Sequence, residues 1–285
     1  MSTIQAPSLT KTARPKTASQ PQQIARRRAP ATGAVARRIL FGSGAIIIFL
    51  IAWEVLPLVL LSDSARVFLP PLHQVLSALW QLITSGELLV HAQASLGRSL
   101  AGFILAILIG VPAGLMIAWY PRAKSFLNPL LEVFRNTAAL ALLPVFTLIL
   151  GIGEISKVAI VLFAAFFPVL LNTILGAQGV DPLLIRAART LGLTNLEIFT
   201  KVILPSAVPT IFTGIRMAGT ASVLVLIAAE MIGAKAGLGY LITNSQASFL
   251  IPQMYAAILT VSILGFTVNT GLVALERRFS RWNRH

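Results

Sequence analysis

Residues 99–119 read SLAGFILAILIGVPAGLMIAW and carry no charged side chain in 21 positions. A hydrocarbon core about 30 Å thick needs roughly 20 apolar residues in a helix, so this run is long enough to span a membrane. Working outward, runs of similar length recur on both sides. Six spans are predicted, at about 39–61, 99–119, 132–152, 158–176, 214–233 and 254–275. The third is the least regular, with Glu132, Arg135 and Asn136 at its start and Pro144 in its middle. Proline is tolerated in a membrane helix where neighbouring helices satisfy the freed carbonyl. The chain is therefore predicted to be an all-α polytopic membrane protein.

Composition agrees. Of 285 residues, 56% are hydrophobic and 11% charged, against about 25% charged in soluble domains. A soluble enzyme and a disulfide scaffold are excluded, as is an outer-membrane barrel, whose strands would alternate apolar and polar residues. With no cysteine, thiol chemistry is excluded too. The three His (His73, His91 and His285) show no metal-ligand spacing, so no metal site is expected.

The net charge of +14 does not point to nucleic acid, because the Lys and Arg lie in flanks and loops between apolar runs. With the N-terminus inside, cytoplasmic segments hold 17 of the 23 positive charges. These segments are the tail, 120–128, 177–213 and the C-terminus, and the bias predicts both termini to be cytoplasmic. Residues 1–38 hold eight Lys/Arg and no acid; they are predicted to be a disordered basic tail. The apolar run after Arg38 is read as an uncleaved first span rather than a signal peptide. Residues 39–280 form the expected membrane domain. Pro70-Pro71, followed by Val75, Leu76, Leu79, Leu82 and Ile83 at helical spacing, predicts an external amphipathic helix within 70–95.

The segment 177–213 is the longest cytoplasmic connection. Its sequence from 179, continued to Gly214, is GVDPLLIRAARTLGLTNLEIFTKVILPSAVPTIFTG. Asp181 suits an N-cap and Pro182 the first helical position. A short helix Leu183–Leu191 follows and Gly192 ends it. Thr194 or Asn195 caps a second helix, Leu196–Leu204, before Pro205 and Pro209 break the chain. Spacing alone leaves two readings open, a rigid docking knob or helices lying flat on the bilayer.

The spacing Arg186-Ala187-Ala188-x3-Gly192-x9-Val202-x-Leu204-Pro205 resembles the "EAA" loop of permease subunits of binding-protein-dependent ABC importers. Two positions differ from that pattern: Arg186 stands for Glu and Val202 for Ile. Phe167-Pro168 with Asn172-Thr173, Thr213-Gly214-Ile215-Arg216, and Ala229-Glu230 to Gly237-Leu238-Gly239 are similar to the branch importing nitrate, sulfonates, taurine or bicarbonate. The resemblance covers about 95–280. It implies the six-helix type I permease fold and a multi-pass protein of the bacterial inner membrane. It also implies a permease pair (two copies of this chain, or one copy with a related permease), two cytoplasmic ATP-binding subunits that use ATP and Mg, and an external solute-binding protein. This chain would bind no cofactor and catalyse nothing. Consistently, no Gly-x4-Gly-Lys-Ser/Thr loop occurs.

The coupling surface implied is Asp181, Arg186, Ala187, Ala188, Leu191, Gly192, Leu204 and Pro205. Candidates for the path or gate are Asn136, Thr137, Asn172 and Glu230. Glu230 reads equally as a structural ion pair, with Lys157 or Lys235 as partner. Arg135 and Arg216 either attract anions leaving inward or snorkel to headgroups. Gly110-x3-Gly114 permits close helix approach. Two rival classes remain: a secondary transporter, for which inverted repeats are not evident, and an intramembrane lipid transferase, for which the nine acids are too scattered.

Overall fold

A computed structural model describes residues 32–279. In chain order the helices are α1 (Thr32–Leu60), α2 (Asp63–Arg66), α3 (Leu72–Thr84), α4 (Glu87–Trp119), α5 (Pro121–Arg135) and α6 (Leu143–Leu150). Then follow α7 (Glu154–Gln178), α8 (Pro182–Thr190), α9 (Asn195–Ile198), α10 (Leu204–Glu230), α11 (Leu238–Ala247) and α12 (Ile251–Phe279). A 3₁₀ turn, Ala139–Leu142, precedes α6, and a π-helical stretch, Phe199–Ile203, joins α9 to α10. The predicted tail lies outside the described residues as far as position 31, and from Thr32 the chain is helical. From Ile51 onward the described residues form one compact unit, and the earlier part of α1 is a separate unit.

Among the described residues, four helices are long and apolar enough to cross a membrane: Glu87–Trp119, Glu154–Gln178, Asn195–Glu230 and Ile251–Arg278. Gly44–Leu60 is a shorter apolar helix. The third predicted span needs correction, because α5 and the segment Ala139–Leu150 meet at 86°. Local chemistry accounts for the bend. Asn136 Nδ2 donates to Glu132 O at 2.8 Å and Thr137 Oγ1 to Val133 O at 2.9 Å, so both side chains fold back on the turn that ends α5. Such bonds compete with helix continuation. Pro144, without an N–H, sits in the first turn of α6 rather than mid-helix.

The fifth span is also longer than expected. Helix runs from Asn195 to Glu230 through the π-helical stretch, and Pro205 and Pro209 do not break it. A π turn just before Pro205 widens the backbone where a proline ring would otherwise clash with the carbonyl four residues back. The predicted external helix ends at Thr84, and Gly86 at φ 77° starts α4 in a new direction. Its Val75, Ala78 and Leu82 are buried against α10, α11 and α12, while Leu76 and Ile83 remain exposed.

The bundle centre is a contact between stripes of four-residue period. Gly102, Ala106, Gly110 and Gly114 on α4 face Val161, Ala165, Val169 and Thr173 on α7. A Cβ at Gly102 would stand 2.7 Å from Val161 Cγ1, and one at Gly114 would stand 2.7 Å from Thr173 Cβ. Small residues let backbones approach where lipid gives helices no hydrophobic reason to associate. α10 closes the other side of α7. There a Cβ on Gly214 would meet Asn172 Cβ at 2.6 Å, and one on Gly176 would meet Ala207 O at 2.9 Å.

Candidate functional site

Three features lie along this core. The first is the knob at the end of the bundle where α7 stops. Asp181 caps α8 by accepting from Leu183 N at 2.8 Å. Gly192, at φ 79°, ends it, with Leu193 N donating to Ala188 O at 3.1 Å. Only glycine takes that left-handed turn without steric cost. Thr194 and Glu197 form a reciprocal capping box at the start of α9, and Lys201 Nζ bonds Glu197 Oε1 at 2.9 Å. Ala188 and Ile198 are buried where the two helices meet. Arg186, Ala187, Leu191 and Pro205 are exposed, as are Leu183, Leu184 and Leu196, while Leu204 is half-buried. The result is a fixed corner with an outward surface that mixes leucines and arginines.

The second feature is a cavity of about 550 Å³ between α5 and α7, closed in part by Met217 of α10. Its polar wall includes Lys124, Glu132, Arg135, Asn172 and Gln178. Lys124 Nζ donates to Gln178 Oε1 at 2.6 Å, and Asn172 Nδ2 to Pro168 O at 2.8 Å. Arg135 Nη1 stands 3.9 Å from Glu132 Oε1, too far for a hydrogen bond. Of the predicted path residues, the structure brings Asn172 to this wall. Asn136 and Thr137 sit at the bend with their donors committed to α5 carbonyls.

The third feature is at the opposite end, and it corrects the expected partner of Glu230. Neither Lys157 nor Lys235 pairs with it. Lys157 Nζ is buried and donates to Gly153 O at 3.1 Å, while Lys235 is exposed. The partner is Arg98, whose Nη1 reaches both Glu230 Oε1 and Ala236 O at 2.6 Å. The same guanidinium grips Glu154 with two nitrogens, Nη2 to Oε1 at 2.6 Å and Nε to Oε2. Glu230 Oε2 also accepts from Ser95 Oγ at 2.7 Å and Gly239 N at 3.1 Å. Ser95 Oγ accepts from Leu238 N at 2.8 Å and His91 Nδ1 from Gly237 N at 3.1 Å. A Cβ on Gly237 would lie 2.4 Å from the Glu230 carboxylate, which explains the Gly-Leu-Gly that passes over it.

Sequence reasoning missed Arg98, Ser95, His91 and Glu154. Arg98 lies just outside the predicted span 99–119, whereas α4 begins twelve residues earlier than that run. The available signal was the spacing 91, 95, 98, which puts three polar residues on one helical face.

Residues 106–281 match the family model described as "Binding-protein-dependent transport system inner membrane component". The chain belongs to that family. Among its relatives, the taurine transport system permease protein TauC of Escherichia coli is 33% identical over 255 residues, covering 87% of this chain and 92% of the relative. A putative aliphatic sulfonates permease, SsuC of Bacillus subtilis, is 35% identical, covering 77% and 79%. The nitrate import permease NrtB of Synechocystis is 29% identical, covering 88% and 93%. The permease also shares its fold with solved transporters. The inward-facing methionine ABC transporter MetNI superposes with a TM-score of 0.60 at 20% identity, covering 67% of this chain and 96% of the other. An amino acid ABC transporter gives 0.56 at 23% identity, covering 70% and 97%. The protein is a multi-pass membrane permease of the ABC importer type, and its relatives are transport subunits rather than catalysts.

Proposed function

We propose that this permease forms the translocation path of an ATP-driven importer for a small anion of the nitrate, bicarbonate, sulfonate or taurine class. The observation that carries the reading is mechanical. α9 runs without a break into helix Asn195–Glu230, and α8 is fixed to its start by the Gly192 corner and the Ala188–Ile198 packing, so the surface available to a partner is held to a lever that reaches the far end of the bundle. Displacing α8 turns α10 against α7, a rigid-body route by which a central path closes at one end and opens at the other. The names of the taurine, sulfonate and nitrate permeases support the solute class.

In this reading the chain has six spans, the bent 122–150 pair and α1 included, with both termini and α8 on the cytoplasmic side of a bacterial inner membrane. Two ATP-binding subunits receive α8 on two permease copies, most simply a homodimer, and ATP with Mg is used there. An external solute-binding protein delivers the anion at the Glu230 end. Asn172 is the predicted path residue that remains on a cavity wall, while Glu230 holds the outer end of the lever in place.

Affinity purification of the tagged permease from gently solubilised host membranes tests this. A soluble ATP-binding subunit is expected to co-purify in stoichiometric amount and to be lost when Leu183–Leu191 is replaced by a Gly/Ser linker. Isolation of the intact permease without any such subunit, under conditions that preserve other membrane complexes, would contradict it.

A further inference from the structure

Two arginines lie along the inner half of the bundle, and the structure separates them. Arg216 Nη1 is 3.3 Å from Glu276 Oε2, so its charge is spent on α12, and it does not line the cavity. Arg135 lines the cavity, and its only acidic neighbour among the described residues, Glu132, stays at 3.9 Å. We propose that Arg135 is an anion-binding residue of the translocation path, taking a sulfonate or other small oxyanion at the bend of the third span. This rests on the importer reading above and adds a residue to it.

Depth makes the placement informative. Phe134, next to Arg135, stacks on Phe167 with ring centres 5.7 Å apart and meets Phe163 edge-on at 6.1 Å. Phe167 lies halfway along the 25-residue α7, about 20 Å from its start at 1.5 Å per residue. The guanidinium is largely exposed and only loosely paired with Glu132 at 3.9 Å, so at that depth it calls for water or a charged ligand beside it. The carboxyl end of α5 favours a cation and offsets part of that cost. The 86° bend ends α5 at Arg135 and leaves it on the wall of the cavity that Asn172 also lines. A planar fork of donors matches the oxygens of a sulfonate or nitrate, which accept two parallel hydrogen bonds. Glu132 competes for the same guanidinium and so limits how tightly an anion is held there.

The test uses the assembled importer with its binding protein in proteoliposomes, with taurine, ethanesulfonate and nitrate as probes and ATP hydrolysis measured in parallel. R135Q is expected to lower uptake of the preferred probe about tenfold or more, the loss of a charge-assisted pair. Complex assembly and basal ATP hydrolysis should persist, and R135K should recover a substantial part of the flux. E132Q removes the competitor, so it is expected to raise uptake at low solute. A purely structural Arg135–Glu132 pair would make R135Q and E132Q fall together with assembly, and that outcome overturns the assignment. Uptake by R135Q equal to wild type also overturns it and leaves the importer reading intact. If the wild-type complex carried none of the probes, the sulfonate and nitrate part of the importer reading would fail and the assignment with it.

Discussion

Arg98 and Glu230 are 132 residues apart in sequence and 2.6 Å apart in the fold, with the Glu230 side chain wholly removed from solvent. Because Arg98 also holds Glu154, one guanidinium ties α4, α7 and α10 at a single end of the bundle. A buried charge is tolerated when it is paired and its remaining lone pairs are satisfied, and Ser95 and Gly239 complete that set.

Breaking the tie from one side should therefore be worse than removing it whole. R98A is expected to cost about 3–5 kcal/mol, because it strands the Glu230 carboxylate. The double variant R98M/E230L should recover a large part of that loss. Thermal unfolding of the three proteins in one detergent checks the order; equal losses for R98A and the double variant would mean the pair is not coupled.

Packing on the glycine stripe predicts a second ranking. G114V presses on Thr173 Cβ and the Leu170 carbonyl, at 2.7 and 2.9 Å from the added Cβ, so the helices must separate. Overpacking of this kind costs about 1–3 kcal/mol. G110A meets the Val169 Cγ1 methyl at 3.1 Å, which can give way, and should lose less. Measured melting temperatures in detergent should fall in the order wild type, G110A, G114V.

At the knob, G192V places a β-branched residue at φ 79°, a strain of about 1–2 kcal/mol. D181A removes the cap of α8, about 1 kcal/mol. Both should insert and fold normally while lowering ATP-coupled uptake, G192V more than D181A. Uptake at the wild-type rate in G192V would remove the requirement for a stiff corner.

Apolar length was legible, since four of the predicted spans coincide with long helices and the α8 caps follow from Asp181, Pro182 and Gly192. Hydropathy reports length but not direction, so the bend at Asn136 and Thr137 was invisible until their side chains were seen on their own carbonyls. It also trims polar turns from helix ends, which hid Arg98 and with it the partner of Glu230. Proline as a helix breaker predicted a stop at Pro205, where a π turn carries the helix through. Of the expected path residues, only Asn172 lines the cavity, and the different settings of Arg135 and Arg216 were hidden until Glu276 was in view.

The central claim is that motion delivered at α8 drives solute through the bundle. Its most direct measurement is accumulation of taurine, ethanesulfonate or nitrate in proteoliposomes holding the permease, with its ATP-binding subunit present or omitted and ATP supplied on the α8 side. The account predicts accumulation that needs both the subunit and ATP. Accumulation driven by an ion gradient in liposomes without the ATP-binding subunit would contradict it.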